Sequence, residues 1–187
     1  PGSAEAWFAS GCYYYVTEQY SSARQYFGKA TTLDRLFAPA WIGFAHSFAC
    51  MDETDQAMAA YRTAARLFPG LYEPILGMSL EYARMNNMGL AEKMCKMACD
   101  ICPDNPFLLH ETGTLAYKNG RYGEARTKLE QALELLERQI TVINSEADDV
   151  REVALVNLGH TYRKMNLYHQ SIQVLEKALA LQPYQAG

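Results

Sequence analysis

An all-α solenoid of about five antiparallel helix pairs is the fold class this sequence predicts, and three observations predict it. The same residue roles return every 34 positions. The returning residues are spaced for one face of a helix, not for a strand. Small residues alternate with large ones at those positions, as close helix packing requires. The stretch "PAWIGFAHSF", Pro39 to Phe48, pairs Trp41 with Ala45 and Phe48, and 34 residues upstream Trp7 is followed by Gly11 and Tyr14 at the same two offsets.

The period divides the chain into frames 4–37, 38–71, 72–105 and 106–139, an insertion at 140–151, and a fifth frame at 152–185. Together they make one domain over 4–185, preceded by Pro1-Gly2-Ser3, which has the composition of a cloning scar. Each frame opens with an apolar residue: Trp7, Trp41, Ile75, Leu109 and Leu155. Four later comes a small one, Gly11, Ala45, Ser79, Gly113 and Gly159, and three further on Tyr14, Phe48, Tyr82, Ala116 and Tyr162. The second helix brings a small residue at Ala23, Ala57, Ala91, Ala125 and Ser171, a filler at Phe27, Tyr61, Cys95, Leu129 and Leu175, and alanine at 30, 64, 98, 132 and 178. Offsets of four and seven keep these residues on one face, and the small pairs let two helices approach to roughly 8–10 Å.

Turns between the helices of a pair are expected at Glu53-Thr54-Asp55, Asn86-Asn87, Asn119-Gly120 and Asn166. Proline at 69, 103 and 183 stops second helices, because it lacks the donor and clashes with the preceding turn. Across the insertion, Leu129, Leu133, Leu136, Ile140 and Ile143 keep helical spacing, so the fourth pair should form a lengthened hairpin, with Ser145 and Asp148 as a capping box for the next helix. This pattern resembles the tetratricopeptide repeat in every frame, over nearly the whole chain.

Composition narrows the function. The 187 residues are 49% hydrophobic and 12% aromatic, enough for a buried core. Seventeen basic and 21 acidic residues are interspersed, giving a net charge of −4, so no basic stripe offers itself to nucleic acid. No stretch has the ~18 consecutive apolar residues of a membrane span. Five cysteines, an odd number within helical pattern, suit a reducing compartment, nucleus or cytoplasm, better than a disulfide framework.

The surface expected to carry function lies one residue after the packing positions, a helical step of about 100° away. It reads Phe8, Cys12 and Tyr15; Ile42, His46 and Ala49; Leu76, Leu80 and Ala83; His110, Thr114 and Tyr117; Val156, His160 and Arg163, with Asn157 and Lys164 beside them. Tetratricopeptide repeat proteins grip an extended or helical peptide on this face, so the resemblance implies a peptide-binding groove that is apolar and aromatic at its start and more polar at its end. The structural alternative is that part of this face packs against flanking repeats. The carboxylate clamp of chaperone-binding members needs lysine and asparagine where Phe8 and Cys12 stand, asparagine at Gly43, and basic residues at Glu73 and Gly77. None of the five matches, and sliding the frame by one or two repeats does not restore the set.

Catalytic, metal and cofactor sites are not expected. Cys95, Cys99 and Cys102 have the C-x3-C-x2-C spacing of an iron–sulfur ligand set, but i, i+4, i+7 on a helix is also a buried stripe, and cysteine is a small hydrophobe. His46 and His160 hold equivalent places three repeats apart, too far to share a metal. His110 and Glu111 are adjacent, and adjacent helical side chains diverge by about 100°, so no proton-transfer dyad is implied. No phosphate loop, nucleophile elbow or zinc pattern appears.

Between the repeat positions lie "KATTLD" at 29–34, "PAWIGFAHSFA" at 39–49, "DQAMAAY" at 55–61, "LEYARMNNMGLAE" at 80–92, "PFLLHETG" at 106–113 and "NLGHTYRK" at 157–164. With the lengthened hairpin, these resemble the tetratricopeptide scaffold subunits of the anaphase-promoting complex, of the cell-division-cycle-sixteen type. That resemblance implies a non-catalytic scaffold of a mitotic ubiquitin ligase, homodimeric through amino-terminal repeats that this later-repeat portion lacks, whose groove encloses the amino-terminal segment of a small accessory subunit. A sibling subunit of the same complex, a general peptide-binding adaptor and a purely structural spacer are the alternatives. Ser79 departs from the usual glycine or alanine, and "LYEPILGMS" matches loosely.

Overall fold

The computed structural model describes residues 2–139 and 145–181. Among them are ten α-helices and no strand: α1 (Ala4–Val16), α2 (Tyr20–Leu33), α3 (Ala38–Cys50), α4 (Thr54–Leu67), α5 (Glu73–Arg84), α6 (Met88–Ile101), α7 (Pro106–Lys118), α8 (Tyr122–Gln139), α9 (Ser145–Lys164) and α10 (Tyr168–Leu181). They form two compact units, one ending at Ile101 with α1–α6 and one beginning at Cys102 with α7–α10. Consecutive helices pair as antiparallel hairpins, three in the first unit and two in the second.

One turn closes every pair. Glu18, Asp52, Asn86, Gly120 and Asn166 all have positive φ, between 57° and 75°. They recur at 34, 34, 34 and 46 residues, the last being 34 plus the twelve of the insertion. The amide of the next residue, Gln19, Glu53, Asn87, Arg121 or Leu167, donates to the carbonyl five residues back at 2.8–3.0 Å. The left-handed residue itself donates to the carbonyl three back. This is the Schellman arrangement, which satisfies the last carbonyls of each first helix. The turn expected at Glu53-Thr54-Asp55 therefore sits two residues earlier, at Met51-Asp52-Glu53, because Asp52 takes the left-handed conformation and Thr54 already opens α4.

The seam of each pair is made of the small residues. Gly11, Ala23, Ala45, Ala57, Ser79, Ala91, Gly113, Ala125, Gly159 and Ser171 are all buried. Ser79 fits the seam because its hydroxyl donates to the Ala91 carbonyl across it, at 2.7 Å. Ser171, on the second helix of the last pair, donates to the Gly159 carbonyl at 2.8 Å, the same bond with the helices exchanged. Of the fillers, Phe27, Tyr61, Cys95 and Leu129 are buried, and Leu175 is half-buried. One core gathers Ala45, Ala57, Met58, Tyr61 and Met78 in the first unit, and another gathers Leu129, Leu133, Ala154, Leu155, Leu158 and Tyr162 in the second.

Around the insertion, α8 has 18 residues against 14 in α2, α4 and α6, and α9 has 20 against 12 or 13 in the other first helices. Leu136 is buried in the added turn of α8, and Arg151 of α9 pairs with Glu137 at 3.5 Å. Ile140, Ile143 and Pro183, and the side chains of Ser145 and Asp148, lie outside the described residues. Pro69 and Pro103 follow the ends of α4 and α6, as expected. Ser3 caps α1 by accepting from the Ala6 amide at 3.3 Å.

Candidate peptide-binding groove

Within the first unit, α1 packs on α3 and α3 on α5, while α2, α4 and α6 make no comparable contact with one another. The unit therefore curves with its first helices on the inner side. Between α1 and α3 the inner side opens into a groove of about 450 Å³, lined by Phe8, Cys12, Tyr15, Val16, Phe27, Pro39, Ile42, Gly43, His46 and Glu73. Five sequence-predicted residues, Phe8, Cys12, Tyr15, Ile42 and His46, are thus brought together. The lining is overwhelmingly apolar.

Gly43 of the wall has a counterpart in the next pair, Gly77. The fillers Phe27 and Tyr61 reach past their own pair to the first helix of the next, where Gly43 and Gly77 stand. A Cβ on Gly43 would lie 2.8 Å from the Phe27 ring, and one on Gly77 2.4 Å from the Tyr61 ring. These positions follow the opening apolar residue by two, an offset at which the second unit carries Glu111 and Asn157. Their correlation with an aromatic filler in the preceding pair was the available signal.

Behind the groove is a buried polar set. Tyr61 Oη and His46 Nδ1 share a hydrogen bond of 2.6 Å. Burial lowers the His46 pKa, so the ring is neutral at pH 7. The Tyr61 phenol is pushed well up, by burial first and by the nearby Glu81 charge second. Glu81, only 1% exposed, pairs with Arg84 at 3.3 Å, and Arg84 also donates to the Ala49 carbonyl at 2.5 Å, tying α5 to the end of α3. Burial and the contact with Cys50 at 3.3 Å likewise raise the Tyr15 phenol, and burial raises the Cys12 thiol. Glu73, Gly77 and Glu81 lie on one face of α5 at steps of four, a stripe the sequence reading did not single out.

In the second unit, His110, Thr114 and Asn157 meet. The His110 Nδ1–H donates to Glu111 Oε1 at 3.1 Å, since a carboxylate only accepts, and Nε2 then accepts from Asn157 Nδ2 at 2.9 Å. The second Asn157 N–H points to Thr114 Oγ1 at 3.5 Å. Adjacent His110 and Glu111, expected to diverge, bend back to meet. Tyr117 packs edge-on against Tyr122, and His160 and Arg163 are exposed on α9. Leu76 and Leu80 lie on α5 away from the groove lining, Leu80 being exposed.

The cysteine triplet does not stay on one helix: Cys95 and Cys99 belong to α6, but Cys102 follows its last residue. Among the described residues no group of three side chains could hold a metal ion, no disulfide forms, and no helix is long and apolar enough to cross a membrane.

Stacked hairpins with small seams, a recurrent Schellman turn and an inner groove define a tetratricopeptide repeat chain, and the tetratricopeptide repeat family profile matches residues 4–35 and 153–185. More particularly, 97% of the chain is similar, at 43% identity, to Anaphase-promoting complex subunit 6 of Arabidopsis thaliana, covering 32% of that protein. Its full length is 42% identical to 30% of the Cell division cycle protein 16 homolog of Homo sapiens. Among solved structures, a chain of the APC/C hetero-tetramer Cut9-Hcn1 superposes with a TM-score of 0.85 at 36% identity, over 97% of this chain and 34% of that one. The chain thus spans about a third of the length of the relatives it matches.

Proposed function

We propose that this chain is a non-catalytic scaffold segment of an anaphase-promoting complex subunit, present in nucleus and cytoplasm, and that its inner-side groove docks the amino-terminal peptide of a small accessory subunit. The observation that carries the proposal is the groove itself: an apolar trough whose lining includes Gly43, in a chain more than 40% identical along its length to subunits of that complex. Apolar side chains of the peptide fit between Phe8, Tyr15 and Ile42. Cut9, solved in a hetero-tetramer with Hcn1, supplies the precedent for such a partner. Homodimerisation of the longer protein belongs to the same proposal and to residues outside this chain.

Calorimetric titration with the Hcn1 amino-terminal peptide tests it. Ile42→Asp, which puts a charge in the trough, should weaken binding at least about tenfold. Unchanged affinity in that variant would remove the groove from the function.

A further inference from the structure

The first unit has a second pocket, of about 370 Å³, that shares no lining residue with the groove. α2 and α4 wall it with Thr31, Thr32 and Thr63, and Trp41 lines it from α3. The Trp41 Nε1–H donates to the Arg35 carbonyl at 3.1 Å, which ties the α2–α3 loop to α3 and holds Arg35 at the pocket. Arg66, in the last turn of α4, is the other cation of the lining, and no acidic residue belongs to it. Of the five arginines in the first unit, three are engaged: Arg24 with Glu53, Arg62 with the Tyr82 hydroxyl, and Arg84 with Glu81 and Asp52. Arg35 and Arg66 have no side-chain partner among the described residues, and these are the two that line this pocket. Asp34, next to Arg35, accepts from the Leu36 amide at 2.8 Å and pairs with neither. The carbonyl end of α4 favours a cation at Arg66 but carries only about half a charge, and two guanidiniums lining one pocket repel each other. The threonine protons are spent on helix carbonyls, Thr31 and Thr32 on Gly28 at 2.9 and 2.8 Å and Thr63 on Ala59 at 2.9 Å. The donors left to a ligand are the two guanidinium forks.

We infer that this pocket binds a phosphorylated serine or threonine of a partner protein, its phosphate shared by Arg35 and Arg66 and an apolar neighbour of the phosphorylated residue resting on the Trp41 ring. The charges decide for phosphate. A phosphate monoester carries nearly two negative charges at pH 7, which match two unpaired cations, whereas a carboxylate neutralises only one. Its oxygens accept from both forks, and bidentate pairing with a guanidinium is the geometry that arginine supplies and lysine does not. A nucleic-acid backbone needs a run of cations; here two arginines stand in a chain of net charge −4. The inference is independent of the groove, because the two cavities use different residues.

Fluorescence anisotropy with the complete chain tests it. The probes are labelled peptides of one sequence in which a leucine is followed by serine, phosphoserine or glutamate. The phosphoserine probe should bind at least about tenfold more tightly than the other two, as charge-assisted hydrogen bonds predict, and added salt should erode the difference. Arg35→Gln and Arg66→Gln should each weaken it about tenfold, and the double variant should bind it no better than the serine probe. Both arginines are exposed, so neither substitution touches the core, and circular dichroism checks the fold. Should a glutamine variant not fold, Arg35→Lys and Arg66→Lys, which keep the charge and lose the fork, take its place with a smaller loss expected. A glutamate or serine probe as tight as the phosphoserine one, no binding of any probe, or a preference that survives the arginine variants overturns the inference. So does a single-stranded oligonucleotide that displaces the phosphoserine probe at lower concentration than the unlabelled phosphopeptide. Ile42→Asp, in the groove, should leave the phosphoserine affinity unchanged. A loss there as large as in the arginine variants would seat the probe in the groove, which sinks the inference and leaves the docking role of the groove standing.

Discussion

Tyr61 does three things at once: it fills the seam of the second pair, bonds His46, and presses on the backbone of α5 where only Gly77 leaves room. Because its ring is buried and its hydroxyl held, it has little freedom to give way, so Gly77→Ala should destabilise the chain by about 1–3 kcal/mol, measured as a shifted urea midpoint. His46 adds a pH dependence whose sign follows from burial. Its folded pKa is lowered beneath the ordinary 6.5, so at lower pH the unfolded chain binds more protons than the folded one. The stability it contributes is complete above the unfolded value and is lost as pH falls through the folded one. Thermal melts between about pH 7 and pH 5 should show a falling midpoint, and His46→Gln should flatten that part of the curve. A profile as steep in the variant as in the parent would assign the dependence to other groups.

At the scale of elements, the helices were legible because a period of 34 with offsets of four and seven leaves no other structure that buries every marked residue. The turns were legible only by composition, so Asn86, Gly120 and Asn166 stood out while Glu18 and Asp52, equally left-handed, did not. Glutamate carries no sequence signal for that conformation and aspartate a weaker one than glycine; the six-residue hydrogen-bonded loop imposes it. That cost predicts an asymmetry. Glu18→Gly relieves an L-residue of positive φ and should stabilise the chain by about 0.5–1 kcal/mol, the penalty of left-handed backbone less the added entropy of glycine. Gly120→Ala, at φ 75°, should do the reverse by about 1 kcal/mol. Equal effects of like sign in denaturant titrations would mean that the turns do not share one conformation. Serine in the seams was also ambiguous from sequence, since a small polar residue reads as a defect until the carbonyl it bonds, Ala91 or Gly159, is known.

For the whole molecule, the sequence offered a set of positions and not a site, and five of those positions line one groove of the first unit. Phe8, Cys12, Tyr15, Ile42 and His46 converge because they share one offset, and an offset survives into three dimensions. Glu73, Phe27 and Gly43 line the same groove from other offsets, and only the crossing of one pair's filler into the next pair brings them there. The same nearest-neighbour construction makes a prediction about how damage spreads. A stack of hairpins is stabilised by seams within pairs and interfaces between adjacent pairs, so a seam defect should loosen its own hairpin and those it touches, and should fade with distance along the chain. Gly159 is the place to test this: a Cβ there would lie 2.7 Å from Leu175, which is only half-buried and can yield in part. Gly159→Ala should therefore leave the protein folded while raising amide hydrogen exchange in α9 and α10, with a smaller rise in α7 and α8, which adjoin them. Protection in α1 to α4 should match the parent. A uniform loss of protection over all ten helices would instead make the chain a single cooperative block, and would move the source of its stability from the seams to a global core.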